Sequence, residues 1–231
     1  FNTVLYTGDG NSTKAINADG ITAGVDMVWV KVRSTANNHL LIDSVRDDGC
    51  HIKPNTTDAH FSSTPTITLS TNSFTTHATW SSINGSGHTY VAWLWKANGS
   101  GSANNAGDLD ATVSVNTDAG FSIVKYVGNG VDGATVAHGL NKAPEMIILK
   151  PLDTVKEWAV GHDDMTWNSY AILNSAQAKQ TSGYAFDQVA PTSTLFSVGA
   201  NDYNYNTEDH IAYCFHSVDG YSKVGTYDGA D

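Results

Sequence analysis

Cysteine is scarce in this sequence of 231 residues, which contains only Cys50 and Cys214. The two lie in different halves of the chain and do not correspond to each other in the repeat described below. A framework of disulfides is therefore not expected. We expect Cys214 to pack in the interior as a small apolar side chain.

Basic residues are also few, because 12 Lys and Arg stand against 23 Asp and Glu, and the formal net charge is −11. Binding to nucleic acid or to an anionic membrane surface requires positive charge that displaces counterions. The charge balance argues against both partners. Long apolar runs are missing as well, since the longest, Val91 to Trp95, is far shorter than the roughly 20 residues that span a bilayer.

Common catalytic signatures are absent from the sequence. It contains no Gly-x-Ser-x-Gly elbow, no Gly-x-x-x-x-Gly-Lys phosphate loop, no His-Glu-x-x-His helix and no Cys-x-x-Cys pair. The composition, with 40% hydrophobic and 15% charged residues, is that of a folded globular protein. We therefore expect a non-enzymatic protein that needs no cofactor.

The sequence does contain an internal repeat with a spacing close to 120 residues. The segment "FNTVLYTGDG" at 1–10 corresponds to "FSIVKYVGNG" at 121–130. Further along, "VDMVWVKVR" at 25–33 corresponds to "PEMIILKPL" at 144–152, and "YVAWLWKANG" at 90–99 to "HIAYCFHSVDG" at 210–220. A third opening, "YSKVGTYDGAD", begins at Tyr221. The order and spacing predict two related units, each long enough to be a domain.

The repeated segments have the pattern of β-strands. Val91, Trp93 and Trp95 alternate with Tyr90, Ala92 and Leu94, which is the period of two that strands require. Gly- and Asn-rich turn signals separate short strand candidates throughout. The pattern predicts an all-β protein of two tandem antiparallel β-sandwich units of jelly-roll type. The only helix predicted is a turn or two within residues 172–180.

The domain boundaries follow from composition. The stretch 99–108 is small, polar and Gly-rich, which predicts a flexible linker between a first unit at 1–98 and a second at 109–220. Residues 221–231 are expected to form either a closing strand or the start of a third copy. The predicted strand at 109–116 has no equivalent before Phe1.

Aromatic residues in predicted loops are the best candidates for a binding site. Trp80, Trp167, Tyr203 and Tyr205 fall outside the alternating strands, and exposed aromatic rings can stack on sugar rings. They predict a carbohydrate-binding surface. By contrast, the tryptophans at positions 29, 93 and 95 lie at repeat-matched strand positions and are expected to be core.

Metal ligands are not predicted. His210 and His216 share a strand face, and the acidic pairs 47–48 and 163–164 fall at roughly equivalent points of the two units. Neither acidic pair has the spaced Asp-x-Asp-x-Asp-Gly pattern of a calcium loop. We expect the histidines to be surface or turn residues and the acidic pairs to lie in solvated loops.

Nine segments occur in a fixed order that covers essentially the whole chain. They are "FNTVLYTGDG", "DMVWVKVRS", "LIDSVR", "NTTDA", "GHTYVAWLWKA", "GFSIVKYVGNG", "ATVAHGLNKAPEMIILK", "VAPTSTLFSVG" and "YSKVGTYDGAD". In this order they resemble a repeated β-rich domain family of virion proteins from marine tailed phages, particularly cyanophages, which often follows laminin-G-like or concanavalin-like domains. One departure is Pro151, which interrupts a strand.

The resemblance implies a virion structural protein of the tail fibre, tail appendage or capsid-decorating kind. It implies a location on the surface of the extracellular particle, other virion proteins as partners, and a symmetric homo-oligomer, with a trimer favoured. It supplies no catalytic residues. The alternative function is a lectin-like module that binds glycans of the host surface.

Overall fold

The computed structural model describes residues 1–21, 24–46, 50–61 and 66–227, and it is all-β. Within these residues the one helical element is a single 3₁₀ turn, Asp163–Met165. The helix predicted within 172–180 is wrong, because Ile172 ends a strand and turn and irregular backbone follow it. A stretch this short cannot nucleate a helix without tertiary support.

The strands of the described residues form four antiparallel sheets. The first large sheet has the order β1-β7-β3-β4 and the second has the order β15-β14-β13-β12-β17-β10-β9-β8, while β2-β6-β5 and β11-β16 form two small sheets. The strands of the first half are β1 Asn2–Thr7, β2 Lys14–Asn17, β3 Met27–Val32, β4 Leu40–Asp43, β5 Ile67–Leu69, β6 Ser73–Thr76, β7 Thr89–Trp95 and β8 Ser102–Asn104. Those of the second half are β9 Ala111–Asn116, β10 Phe121–Val127, β11 Ala134–Ala137, β12 Met146–Pro151, β13 Ala159–His162, β14 Ser169–Ile172, β15 Gln180–Thr181, β16 Leu195–Val198 and β17 Asp209–Phe215.

The order β1-β7-β3-β4 of the first large sheet recurs in the second as β10-β17-β12-β13. The register agrees as well. Trp93 lies opposite Thr3 and Trp29, and Tyr213 lies opposite Ile123 and Ile148. The predicted correspondence between Trp93 and Tyr213 is therefore confirmed at the level of strand pairing.

Within the described ranges, three clusters of buried apolar side chains separate the sheets. One fills the space between the first large sheet and β2-β6-β5, and another joins the second large sheet to β11-β16. The third lies between the two large sheets. Alternation along β17 produces this arrangement, because Ala212 and Cys214 contribute to one cluster while Tyr213 and Phe215 contribute to another.

Both large sheets are thus covered on both faces, which explains the near-continuous apolar runs at 25–33 and 144–150. The strand tryptophans are less buried than predicted. Trp29 and Trp95 are half-buried against the cluster between the large sheets, and Trp93 is half-buried with its ring edge-on to Trp29.

Both cysteines are reduced and buried, and burial raises the pKa of the Cys214 thiol to about 12.

The Gly-rich stretch 99–108 contains an ordered strand. Ser102–Asn104 forms β8 and pairs with β9, which in turn pairs with β10. Gly101 permits this, because its φ of 78° suits glycine and a Cβ there would meet the backbone of Val113. Beyond β17, Ser222 forms a bridge with Val218, residues 223–227 lie outside strands, and 228–231 lie outside the described residues.

Candidate functional site

The repeated Tyr-x-Gly-x-Gly openings each surround a buried asparagine, an arrangement we call the asparagine clasp. In the second repeat, the Nδ2 of Asn204 donates to Asn129 Oδ1 at 3.1 Å and to the Val131 carbonyl at 2.8 Å. The backbone N–H of Asn129 donates to Asn204 Oδ1 at 3.0 Å, and the backbone N–H of Gly130 donates to the backbone carbonyl of Asn204 at 2.8 Å.

The same bonds recur in the first repeat around Asn84. Its Nδ2 donates to Asp9 Oδ1 and to the Asn11 carbonyl, both at 2.9 Å, and the Asp9 amide donates to Asn84 Oδ1 at 3.2 Å. Hydrogen bonds from the Asn11 backbone and the Asn84 side chain lower the pKa of Asp9 to about 2. The repeated motif therefore holds the loops at 80–85 and 200–205 in place, and its role in the described structure is to support them.

Two of the four predicted sugar-binding residues are buried and cannot stack on a ligand. Trp167 is 4% exposed and packs edge-on against Phe186, with ring centroids 5.4 Å apart. Its ring occupies space that Gly161 leaves, since a Cβ there would overlap it. Tyr203 is also 4% exposed, and its carbonyl accepts a hydrogen bond from the Tyr126 hydroxyl at 2.7 Å. Both side chains belong to the apolar cluster of the second large sheet.

Trp80 is 48% exposed and forms an aromatic surface with residues far from it in sequence. Its ring lies edge-on to His51, with centroids 5.8 Å apart, and His51 stacks on Phe61 at 4.9 Å. The Lys53 Nζ lies 4.3 Å from the centroid of the Phe61 ring. We call these four residues the Trp80 patch. The exposed Trp80 ring offers a flat apolar face, whereas the Phe61 ring is stacked by His51 and has Lys53 over it, and Lys53 forms an ion pair with Asp58 at 2.9 Å.

His51 is the buried centre of this patch. Its Nδ1 shares a hydrogen bond with Thr66 Oγ1 at 3.0 Å. Burial lowers the pKa of His51 to about 4, and the charges of Lys53 and Arg46 act in the same direction. The imidazole is therefore neutral near pH 7, and it stacks on Phe61 as an uncharged ring.

Tyr205 is the other exposed candidate, at 41%. Lys156 Nζ lies 5.7 Å from its ring centroid and forms an ion pair with Asp202 at 2.8 Å. The hydrogen bond to Asp202 raises the pKa of Lys156. Tyr205 thus has a cationic neighbour, as the aromatic rings of the Trp80 patch do.

His162, Asp163 and Asp164 form the one group of three metal-ligating side chains within the described residues, with ligand atoms all within 4.8 Å of one another. They lie where β13 runs into the 3₁₀ turn. The Nδ1 of His162 accepts a hydrogen bond from the Asp164 amide at 3.1 Å, so that nitrogen is engaged within the protein. A divalent cation here would be held by the two exposed carboxylates and by Nε2, the other ring nitrogen of His162.

The remaining metal candidates are placed differently. His210 is buried and stacks on Tyr126 with centroids 5.0 Å apart, and its Nδ1 donates a hydrogen bond to the Glu208 carbonyl at 2.9 Å. His216 is also buried, so neither histidine is the surface residue that we predicted. The acidic pair 47–48 lies outside the described residues.

A buried ionic network connects the two large sheets. The Tyr213 hydroxyl, from the second sheet, donates to Asp43 Oδ2 of the first at 2.6 Å, and Arg46 Nε donates to the same oxygen at 2.7 Å. Burial lowers the pKa of Arg46, but Asp43 and Tyr213 outweigh this and the net shift is upward. Sequence reasoning missed this network, because its partners are 170 residues apart.

Lys150 is a second buried cation that the sequence did not reveal. Its side chain is fully buried, and Nζ donates to three backbone carbonyls, those of Lys156 at 2.7 Å, Thr57 at 3.2 Å and Thr154 at 3.4 Å. Burial lowers the pKa of Lys150 to about 8, although Asp58 acts in the opposite direction. Since Thr57 belongs to the first half of the chain, this lysine also links the two halves.

In the part of the chain that the structure describes, no helix is long and apolar enough to cross a membrane. No curated protein and no solved structure matches the sequence. A family model described as a domain of unknown function (DUF7483) matches residues 1–231. Because the match extends over the whole sequence, the chain belongs to this family.

Proposed function

We propose that this chain is a non-enzymatic structural module of a phage virion, located on the particle surface in a tail fibre, a tail appendage or a capsid decoration. We further propose that it consists of two repeat-related β-sandwich units of jelly-roll type, 1–98 and 109–220. The recurrence of one strand order and register in both large sheets supports the second proposal. The family resemblance of the nine sequence segments supports the first.

The observation that carries the assembly role is the edge of the first large sheet. β10 has β9 on its outer edge, whereas no strand of the described residues pairs with the outer edge of the equivalent strand β1. On β1, Leu5 is 63% exposed. An open sheet edge with an exposed apolar side chain is a template for pairing with another chain. We therefore assign β1 to contacts between copies of this chain, with a trimer favoured, or with other virion proteins.

The mass of the purified chain in solution, measured by light scattering during size-exclusion chromatography, tests this assignment. The wild type is expected to form a trimer, and Leu5→Lys is expected to shift it toward the monomer. Val131→Lys is the matched control, because Val131 is 56% exposed and lies outside the strands. A monomeric wild type at high micromolar concentration, or equal effects of the two variants, would contradict the role of β1. An image of the intact particle would then test the virion location independently.

A second candidate function is lectin-like binding of host glycans, which the Trp80 patch favours. Apolar ring faces beside a cationic group suit a sugar, which has apolar C–H faces and polar edges. The expected result on a glycan array is a defined set of bound glycans whose signal is lost in Trp80→Ala. Tyr184→Ala is the control, since Tyr184 is 47% exposed and outside the patch. Retention of the signal in Trp80→Ala would exclude the patch as the binding surface.

A further inference from the structure

An apolar cavity of about 220 Å³ lies between the two large sheets. From the first sheet, its wall comprises Met27 and Trp29 of β3, Leu41 of β4 and Trp95 of β7. These side chains belong to, or pack against, the cluster between the large sheets. The cavity is therefore a gap in the packing of one sheet against the other.

The second sheet supplies the opposite wall. It comprises Met146 and Ile148 of β12, Tyr213 and Phe215 of β17, and Trp158, which directly precedes β13. Met146 is the repeat counterpart of Met27 in the sequence. Equivalent strands of the two large sheets thus contribute a thioether to each side of the cavity.

The polar atoms of this wall are bonded elsewhere. Trp29 Nε1 donates to His39 Nδ1 at 2.9 Å, and Trp158 Nε1 donates to the Lys53 carbonyl at 3.2 Å. The Tyr213 hydroxyl is bonded to Asp43. A ligand in the cavity would therefore meet carbon and sulfur surfaces, and a hydroxyl or amide on it would lose its hydrogen bonds to water without replacement.

We propose that this cavity is a binding site for a small apolar molecule, a monocyclic aromatic or short aliphatic hydrocarbon without hydrogen-bonding groups. An apolar cavity of about 150 Å³ lined by similar side chains stays dry and binds benzene, so the volume here accommodates one ring with a short alkyl substituent. The two methionines favour this occupant, because thioethers are polarizable, adapt their shape and contact aromatic ring edges favourably.

An entry route is also present. Trp95 and Phe215 line both this cavity and a larger adjoining pocket of about 430 Å³ at the surface. Their ring centroids are 6.5 Å apart and the rings lie edge to face. Five side chains of the cavity wall, Trp29, Trp95, Met146, Ile148 and Phe215, are half-buried, so a small molecule can reach the cavity from solvent between them.

Methionine methyl NMR with toluene as the probe tests the proposal directly. The chain contains three methionines, of which Met27 and Met146 line the cavity and Met165 does not. Toluene is expected to shift the methyl signals of Met27 and Met146 with a saturating dependence on concentration and to leave that of Met165 unchanged. Phenol has nearly the same shape with an added hydroxyl, and it is expected to bind at least about tenfold more weakly, since an unpaired buried hydroxyl is costly.

A cavity-filling variant provides the second test. Ile148 of β12 is the repeat counterpart of Trp29 of β3, so Ile148→Trp gives both walls of the cavity a tryptophan at this position. The variant is expected to abolish the toluene-dependent shifts while the protein remains folded. Val189→Trp, at an exposed position outside the strands and outside the cavity, is expected to retain them. The proposal is overturned if wild-type Met27 and Met146 show no saturating shift up to the solubility of toluene, or if phenol binds as tightly. The wild-type titration decides the matter even if Ile148→Trp does not fold.

Discussion

Replacing Asn204 by alanine tests whether the asparagine clasp stabilises the fold. The change removes three side-chain hydrogen bonds, two donated by Nδ2 and one accepted by Oδ1, from a residue that is fully buried. At about 1 kcal/mol for each bond, the free energy of unfolding should fall by about 3 kcal/mol. For a chain of this size, that corresponds to a melting temperature lower by about 6 to 12 °C.

Urea unfolding followed by tryptophan fluorescence and circular dichroism would measure this loss. Asn206→Ala is the matched control, because Asn206 lies in the same loop and is exposed. If Asn204→Ala and Asn206→Ala differ by less than about 0.5 kcal/mol, which is the usual size of a surface effect, the clasp is not a stabilising element and the reasoning fails.

A second substitution separates hydrogen bonding from volume. Asn204→Asp retains the size of the side chain but replaces the Nδ2 donor by an oxygen that faces Asn129 Oδ1 and the Val131 carbonyl. A buried carboxylate whose one remaining donor is the Asn129 backbone N–H, and whose second oxygen faces two acceptors, should destabilise the protein more than alanine does at pH 7. Its folded-state pKa is expected above its unfolded value, so the difference from the wild type should shrink as the pH is lowered toward 4.

Three further predictions concern buried groups and a close backbone approach. Burial lowers the pKa of His138 to about 4, below its ordinary 6.5. The unfolded chain therefore binds a proton between these values that the folded chain does not, and His138 should contribute a fall of up to about 3 kcal/mol in the free energy of unfolding from pH 6.5 to 4. Since His51 contributes a fall of similar origin, the measure is the difference between the wild type and His138→Gln in urea unfolding at pH 7 and 4.5. Burial lowers the pKa of Lys150 from 10.5 to about 8, so Lys150 should contribute a rise of about 1 kcal/mol in the free energy of unfolding between pH 8 and 9. The contribution is measured as the difference between the wild type and Lys150→Met, because the buried Cys214 thiol, with its raised pKa, changes stability in the opposite direction in both proteins. An equal pH dependence in the two proteins would contradict this. A Cβ at Gly128 would overlap the Tyr205 carbonyl, so Gly128→Ala should lower the free energy of unfolding by about 1 to 3 kcal/mol, measured by thermal unfolding. At Gly225 an added Cβ would point into open space, so the control Gly225→Ala should lower it by less than about 0.5 kcal/mol. Similar losses in the two variants would refute the steric argument.

Several features of the fold could be predicted because they are properties of short segments. Strand candidates at 25–33, 90–96 and 144–150 became β3, β7 and β12, since alternation with a period of two is visible within a few residues. The matching of Trp93 with Tyr213 followed from the repeat spacing and agrees with the strand register. The repeat also indicated that the Tyr-x-Gly-x-Gly openings have a shared role, although not what that role is.

Other features were not accessible in the same way. Trp167 and Tyr203 lie outside regular alternation, as surface residues also do, yet both are core residues. Composition predicted a flexible linker at 99–108, but β9 is within reach and pairs with Ser102–Asn104. For the candidate site, loop position did not separate the exposed Trp80 and Tyr205 from the buried Trp167 and Tyr203. The partners His51, Phe61 and Lys156 could not be inferred either.

The sequence by itself determined that this protein is built of strands, where the strands of the repeated segments lie, and that one arrangement occurs twice. Tertiary structure alone decided that the two large sheets pack face to face around a cavity, which aromatic residues are exposed, and that Asn84 and Asn204 fill the loops of the repeated motif. The physical reason is the range of the interactions. Alternation and turn chemistry act between neighbours in the chain, whereas burial and hydrogen bonding of these side chains depend on partners about 75 to 170 residues away.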